Sequence, residues 1–159
     1  ARYTQVRDSL FRSHLWNCLT KRVELAKDTE VPSWGFSYQF TLPADCLRVV
    51  TILNYDYDYK VEGRKILANH GTLKIQYISR VEDSNQYDEL LRETISAALS
   101  ADIAYAVTSS NPVASNMYKL FQDKLREARF VDATEGQSTN PDNGQSDVIG
   151  SSSFINSRY

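Results

Sequence analysis

Two long helical stripes joined by a short link constrain the fold of this chain most strongly. From Asn85 to Val107, and again from Val113 to Val131, apolar residues recur at the spacing of an amphipathic helix. The link between them, residues 108–112, holds polar capping residues and a proline that suits a first helical turn. Because two helices joined by so short a link must pack antiparallel, we predict a helical hairpin.

The N-terminal segment also shows helical periodicity. One stripe consists of Tyr3, Val6 and Leu10, and the next of Leu15, Leu19, Val23 and Ala26. The first stripe predicts an amphipathic helix over residues 2–12 with its arginines facing solvent. The second predicts another helix, or a bent continuation of the first, which ends before Pro32.

Between the helical segments the apolar period changes to two, which is typical of β-strands. The segments concerned are residues 36–41, 46–53, 55–59, 65–68 and 72–78, with a candidate three-residue hairpin turn at 69–71. They predict a small, mostly antiparallel sheet at about residues 36–78. The predicted fold class is therefore α+β, mainly α: an antiparallel helix bundle with this sheet inserted between the N-terminal and C-terminal helices.

The last part of the chain has a different composition. Residues 138–159 are rich in Ser, Asn, Gly and Asp and contain almost no apolar residue before Phe154. Such a segment cannot build a core, so we predict a domain over residues 1–137 followed by an extended tail. Within this tail, residues 138–153 are the expected spacer and residues 154–159 the expected anchor. The anchor side chains are Phe154, Ile155, Arg158 and Tyr159.

Charge is distributed unevenly along the 159 residues, whose formal net charge is −2. Residues 1–80 carry 12 basic and 8 acidic residues, whereas residues 81–137 carry 5 and 10. The chain as a whole therefore lacks the basic footprint of a nucleic-acid-binding protein. No apolar run reaches the length of a membrane span and no signal pattern is seen, which predicts an intracellular place of synthesis and no membrane partner.

The sequence offers little chemistry. There is no glycine-rich phosphate loop, the two histidines have no metal-ligand spacing, and the two cysteines are predicted to be buried free thiols. The alternation of oxygens in residues 54–58 begins like a calcium loop. However, Tyr59 and Lys65 stand where that loop needs Gly and Glu, so a strand is the preferred interpretation. We predict no catalytic residue, no metal site and no cofactor.

Two features suggest contact surfaces instead. The chain contains 10 tyrosines, and Tyr55, Tyr57 and Tyr59 fall on one face of a predicted strand, where they could contact a neighbour. A basic stripe could bind nucleic acid or an acidic protein, although a solvated helix face is the more frequent explanation. Its members are Arg2, Arg7, Arg12, Lys21 and Arg22.

The order of these elements resembles the head-to-tail connector, or adaptor, proteins of short-tailed bacteriophages, often called tail tubular protein A. The matching stretches are residues 3–10, 16–17, 38–49, 62–67, 73–78, 88–107 and 113–131, followed by a tail that closes on Arg158 and Tyr159. The resemblance lies in the succession of elements, since motifs such as Leu42-Pro43-Ala44-Asp45-Cys46-Leu47-Arg48-Val49 are not diagnostic by themselves.

The resemblance implies a structural virion protein rather than an enzyme. It implies a ring of twelve copies beneath the portal protein, at the head–tail junction, with DNA passing through the channel without sequence-specific binding. It also implies that the tail docks to the portal and that the sheet side meets the next tail component, a nozzle or tube protein.

Two other functions remain as alternatives. One is a small nucleic-acid-binding module that uses the basic N-terminal half, and it predicts DNA affinity that falls steeply with salt. The other is a hydrolase that uses dispersed carboxylates, for which the sequence offers no positive sign.

Overall fold

In the computed structural model, which describes residues 2–53 and 58–135, the chain forms three α-helices and two three-stranded antiparallel sheets. The helices are α1 (Arg2–Ser13), α2 (Glu89–Thr108) and α3 (Asn111–Glu135). The strands are β1 (Thr20–Ala26), β2 (Tyr38–Thr41), β3 (Cys46–Ile52), β4 (Tyr59–Glu62), β5 (Lys65–Ala68) and β6 (Thr72–Ser79). Short 3₁₀ turns at Asn17–Leu19 and Ser84–Gln86 precede β1 and α2.

The central sheet has the strand order β1-β6-β3, and its two faces meet different layers of the molecule. Along β6, Leu73, Ile75 and Tyr77 point to the second sheet, while Ile78 lies on the opposite face among the helices. This division follows from the pleat, because successive side chains of a strand point to opposite faces.

The outer sheet has the order β2-β5-β4, and a tight turn joins β4 to β5. Glu62 pairs with Lys65 across this turn, which leaves Gly63 and Arg64 as its two central residues. Gly63 has a φ of 58°, a left-handed value that favours glycine, as two-residue hairpin turns require. The two sheets enclose an apolar core that includes Phe40 and Ile66, both fully buried.

A second core lies between the helices and the central sheet. Phe11 and Trp16 are essentially fully buried there, together with Leu19 and Leu91. Burying each such side chain contributes roughly 1.5–3 kcal/mol relative to leaving it in water. The molecule is thus layered: helices, central sheet, outer sheet.

The predicted helical hairpin is confirmed. Asp88 caps α2 by accepting a hydrogen bond from the Leu90 amide, and α2 ends where Ser109 adopts a left-handed φ of 51°. The two helices run antiparallel, since Lys124, late in α3, pairs with Glu93, early in α2, at 2.7 Å. The helix predicted over residues 2–12 is confirmed as α1.

The predicted fold class, a mainly α helix bundle with a single small sheet inserted at about residues 36–78, is wrong. There are two sheets among the described residues, and together they form a β-sandwich that carries its own core. The sandwich also extends beyond the predicted limits, because β1 precedes residue 36. The helices pack on one face of this sandwich rather than forming a bundle around their own axis.

The second helix, predicted from Leu15 to Ala26, is wrong: residues 14–16 are not helical and Asn17–Leu19 form only a 3₁₀ turn. Residues 20–26 form β1, which pairs along its whole length with β6, from Thr20 opposite Ile78 to Ala26 opposite Thr72. The segment satisfies two periods at once: Leu19 and Val23 are four residues apart, and Val23 and Leu25 alternate with charged residues. Pairing with a long neighbouring strand favours the second period.

The predicted hairpin turn at residues 69–71 is also wrong. β5 pairs with β2 and β4, whereas β6 pairs with β1 and β3, so residues 69–71 cross from one sheet to the other. The two cysteines are free: Cys46 is buried as predicted, and Cys18 is partly buried. No helix within residues 2–53 and 58–135 has the length and apolar content needed to span a bilayer.

Candidate interaction surfaces

The loop-proximal half of the helical hairpin is apolar and uncovered. We define the hairpin tip as residues 99–120 and the hairpin base as residues 88–98 and 121–135. Ala104 is the one buried residue of the tip, all of which the structure describes. The large apolar side chains exposed on the tip are Ile103, Tyr105, Val107, Val113, Tyr118 and Leu120, with exposed fractions between 37% and 74%.

The tip is also nearly free of charge. Its 22 residues contain two charged side chains, Asp102 and Lys119, whereas the 26 residues of the base contain 11. The Asp102 carboxylate accepts hydrogen bonds from Arg2 of α1, and this pairing lowers the pKa of Asp102. Depletion of charge with tyrosine and methionine present is the composition found at the centre of protein–protein interfaces.

A groove of about 640 Å³ runs between α1 and the hairpin and continues onto the tip. Its apolar lining includes Val6 on α1 and Tyr118 and Phe121 on α3. At one end the Arg129 guanidinium donates to the Ser13 hydroxyl at 3.0 Å, and at the other Arg2 holds Asp102. The groove therefore joins the tip to α1 as one continuous surface.

The backbone on both sides of the loop within the tip is well satisfied. The Ser109 amide donates to the Tyr105 carbonyl at 2.8 Å, and the Ala114 amide donates to the Ser110 carbonyl at 3.1 Å. The Thr108 hydroxyl donates to the Ala104 carbonyl at 2.7 Å. These bonds close the helix ends without burying the side chains, so the tip is ordered although little packs on it.

A second apolar surface lies on the opposite side of the central sheet. We call residues 31–36 the aromatic loop. Trp34 is 85% exposed and Val31 is 65% exposed, the two most exposed large apolar residues among the described residues of the sandwich layer. Gly35 has a φ of 88°, which an L side chain adopts at a cost, so a glycine allows this turn of the chain.

Polar contacts tie the start of this loop to the outer sheet. The Thr41 amide and hydroxyl both donate to the Asp28 carboxylate, and Lys65 pairs with it at 3.2 Å. Desolvation of Asp28 opposes ionisation, but the hydrogen bonds from Thr41 and Lys65 outweigh it and lower the pKa of Asp28. The carboxylate thus stays charged and holds the loop against the sheet.

A cleft of about 260 Å³ separates the aromatic loop from the outer sheet. Trp34 and Phe36 line one wall, and Lys60 and Glu62 of β4 line the other. β4 is an edge strand whose four side chains are all exposed. The aromatic loop and this edge together form a mixed apolar and polar surface at the outer side of the sandwich.

Arg7 does not belong to an exposed basic stripe. It is 4% exposed, so the prediction that it faces solvent is wrong. Its guanidinium pairs with Asp8 at 2.8 Å and lies over the rings of Tyr3 and Phe11. The helical spacing of the three α1 arginines placed them on one outward face, but the aromatic side chains on either side of Arg7 cover it.

The other members of the predicted stripe are separated by their own contacts. Arg2 pairs with Asp102, and Lys21 pairs with Asp45 at 2.9 Å. Arg12 donates to the Leu47 carbonyl at 2.6 Å. Arg22 is exposed on β1. The structure therefore does not bring the five residues together as one surface.

Most of the predicted tyrosine and tail residues lie outside the described part of the chain. Tyr59 begins β4 and is 45% exposed, opposite Ala68 of β5. Tyr55 and Tyr57 are outside the described residues, as are the anchor residues. Those are Phe154, Ile155, Arg158 and Tyr159.

A polar cluster around Asp132, near the end of α3, was not predicted from the sequence. Its buried carboxylate accepts a hydrogen bond from the Asn17 amide at 2.9 Å and lies 3.0 Å from the His14 ring. The Asn17 side chain donates to the Asp132 backbone carbonyl at 2.7 Å. Because these partners are more than 110 residues apart, no local pattern indicates them. The cluster fastens the base to the segment that follows α1.

Across residues 2–53 and 58–135, no three His, Cys, Asp or Glu side chains are arranged to hold a metal ion. No protein-family model and no curated protein sequence matches the chain. Its function must therefore be argued from the surfaces themselves.

Proposed function

We propose that this protein is a non-enzymatic connector: a ring-forming head-to-tail adaptor that joins a portal to a tail. In this proposal it is a virion protein that surrounds the DNA channel without reading its sequence. It docks to the portal through its C-terminal tail. The observation that carries the proposal is the presence of two uncovered apolar surfaces, the hairpin tip and the aromatic loop, on opposite sides of the central sheet.

Two separated surfaces are what a connector needs. Soluble monomers rarely leave large apolar patches exposed, and such patches mark interaction sites. A ring requires each subunit to contact neighbours through different surfaces on its two sides, and a connector must also meet the components above and below. A chain with one binding surface could not do this.

Each surface has a role in this proposal. The aromatic loop and the β4 edge meet the next tail component, since they form the outer side of the sheet layer. The hairpin tip and the groove beside α1 are left for contact within the ring. The tail anchor, residues 154–159, binds the portal. Because the anchor is repeated around the ring, many weak contacts act together.

The predicted basic stripe does not support the nucleic-acid alternative, which uses the basic N-terminal half. Arg7 is buried, and Arg2 and Lys21 are paired with carboxylates.

Removing residues 138–159 tests the proposal. The shortened chain should keep the melting temperature and circular dichroism of the full chain, because residues 138–159 contain too few apolar residues to build a core. It should lose binding to the cognate portal, measured by negative-stain imaging and co-sedimentation of the purified proteins. A shortened chain that still forms rings on the portal contradicts the proposed docking.

A further inference from the structure

We infer that the hairpin tip is the surface through which one copy of this chain packs against a second copy. The inference deepens the proposed function and rests on it for the closed ring, although contact between two copies can be tested alone.

The exposed area fits such a contact. The six large apolar side chains of the tip together expose on the order of 600 Å², close to the roughly 800 Å² that each partner contributes to a standard interface. The groove beside α1 extends the same surface, with Val6, Phe121 and Leu125 in its lining. The tip together with this groove therefore offers an area comparable with one side of a standard interface.

The charge pattern favours a second copy over a different protein. Unlike partners are usually matched by patches of opposite charge, which give specificity and speed association. The tip offers no such pattern: Asp102 is already neutralised by Arg2, and Lys119 is the remaining charge. A neutral apolar surface can pack against an apolar surface of a second copy without charge repulsion.

The low charge of the tip also disfavours its binding to a lipid surface. Helices that lie on membranes carry many Lys and Arg on their polar face, which bind anionic headgroups. The tip has Lys119 alone, and its polar positions are filled by Ser, Thr and Asn. Small residues such as Ala101, Ala106 and Ala114 suit close approach of another helix instead.

Matched valine substitutions test the inference. Val107 in the tip is 74% exposed and Val31 in the aromatic loop is 65% exposed, so the same change can be made on both surfaces. We would measure self-association of the full chain by sedimentation velocity from about 10 µM to about 1 mM, a range that covers weak specific contacts. Circular dichroism and melting temperature would establish that each variant is folded.

The wild type should self-associate across this range. Val107→Asp and Val107→Lys should both weaken association at least about tenfold, because either charge is buried without a partner in the contact. Val31→Asp should associate like the wild type. Substitutions of opposite charge are used so that loss of association in both variants reports the cost of desolvating a charge, whatever its sign. The test then does not depend on one variant alone being folded.

A wild type that stays monomeric over the whole range contradicts the inference, as does equal association of the Val107 and Val31 variants. Binding of the monomer to anionic phosphatidylserine vesicles that is lost with Val107→Asp would assign the tip to a lipid surface and likewise contradict it. If Val107→Asp abolishes the association of the wild type but no ring forms on the portal, the inference is supported and the proposed function is contradicted. Rings on the portal that Val107→Asp leaves unchanged contradict the inference alone.

Discussion

The base and the tip of the α2–α3 hairpin belong to the same two helices, yet they are built for different surroundings. The base carries 11 charged residues and buries Leu91 and Ile95 against α1 and the sheet. The tip carries two charged residues and leaves Ile103 and Val107 in solvent. The largest exception to this contrast is Phe130, a base residue that is 72% exposed.

The difference shows what helical amphipathicity means on this molecule. In the base, charge lies outward and apolar residues lie inward, so the helices need nothing further to be soluble. In the tip, large apolar side chains lie outward and only two side chains are charged, so this arrangement does not stabilise a single chain in water. The tip is explained only if something covers it.

The largest expected effect on the free energy of unfolding comes from making the same isoleucine-to-alanine substitution in the base and in the tip. Ile95, 5% exposed in the base, and Ile103, 47% exposed in the tip, lie two turns apart on α2. Ile95→Ala should lower the free energy of unfolding by about 2–5 kcal/mol, because it leaves a cavity in the helix core. Ile103→Ala should change it by less than about 0.5 kcal/mol when the protein is dilute.

Urea denaturation of both variants at low protein concentration measures this contrast. A loss of stability for Ile103→Ala as large as that for Ile95→Ala would mean that the tip is packed within the single chain. The distinction between base and tip would then fail.

A smaller effect should follow from breaking the polar tie at the base. Asp132→Ala leaves the Asn17 amide and the His14 ring without their buried partner, which should cost about 1–3 kcal/mol. Asp123→Ala is the control, since Asp123 is exposed and pairs with Arg126 at 3.7 Å in solvent. That change should have almost no effect on stability.

Thermal unfolding followed by circular dichroism would compare the two aspartate variants. If Asp132→Ala were as stable as Asp123→Ala, the cluster would not hold the base to the segment after α1. The base would then depend on apolar packing alone.

The helical hairpin was predictable because its stripes are long and its caps are local. Residues 108–112 mark where α2 ends and α3 begins, as expected, whereas the cap at Asp88 places the start of α2 after the predicted Asn85. The exposure of the tip was not predictable, since Leu99 and Ile103 continue the same stripe as Leu91 and Ile95. Periodicity identifies an apolar face of a helix but not whether the chain covers it.

The sheets show a second limit of the same kind. Residues 20–26 fit both a helix and a strand, and pairing with β6 decides between them. The crossing at residues 69–71 has the composition of a hairpin turn, and which sheet each strand joins depends on distant partners. The aromatic loop could have been noticed from Pro32, Trp34 and Gly35, whose order is typical of an exposed turn that carries an aromatic side chain.

Hydrogen exchange at low and high protein concentration tests the central claim most directly, because it reports every amide of the hairpin at once. If copies pack through the tip, amides of residues 99–120 should become protected on concentration, while those of the aromatic loop should not change. Protection confined to the aromatic loop, or none in the tip while the protein associates, would contradict the account.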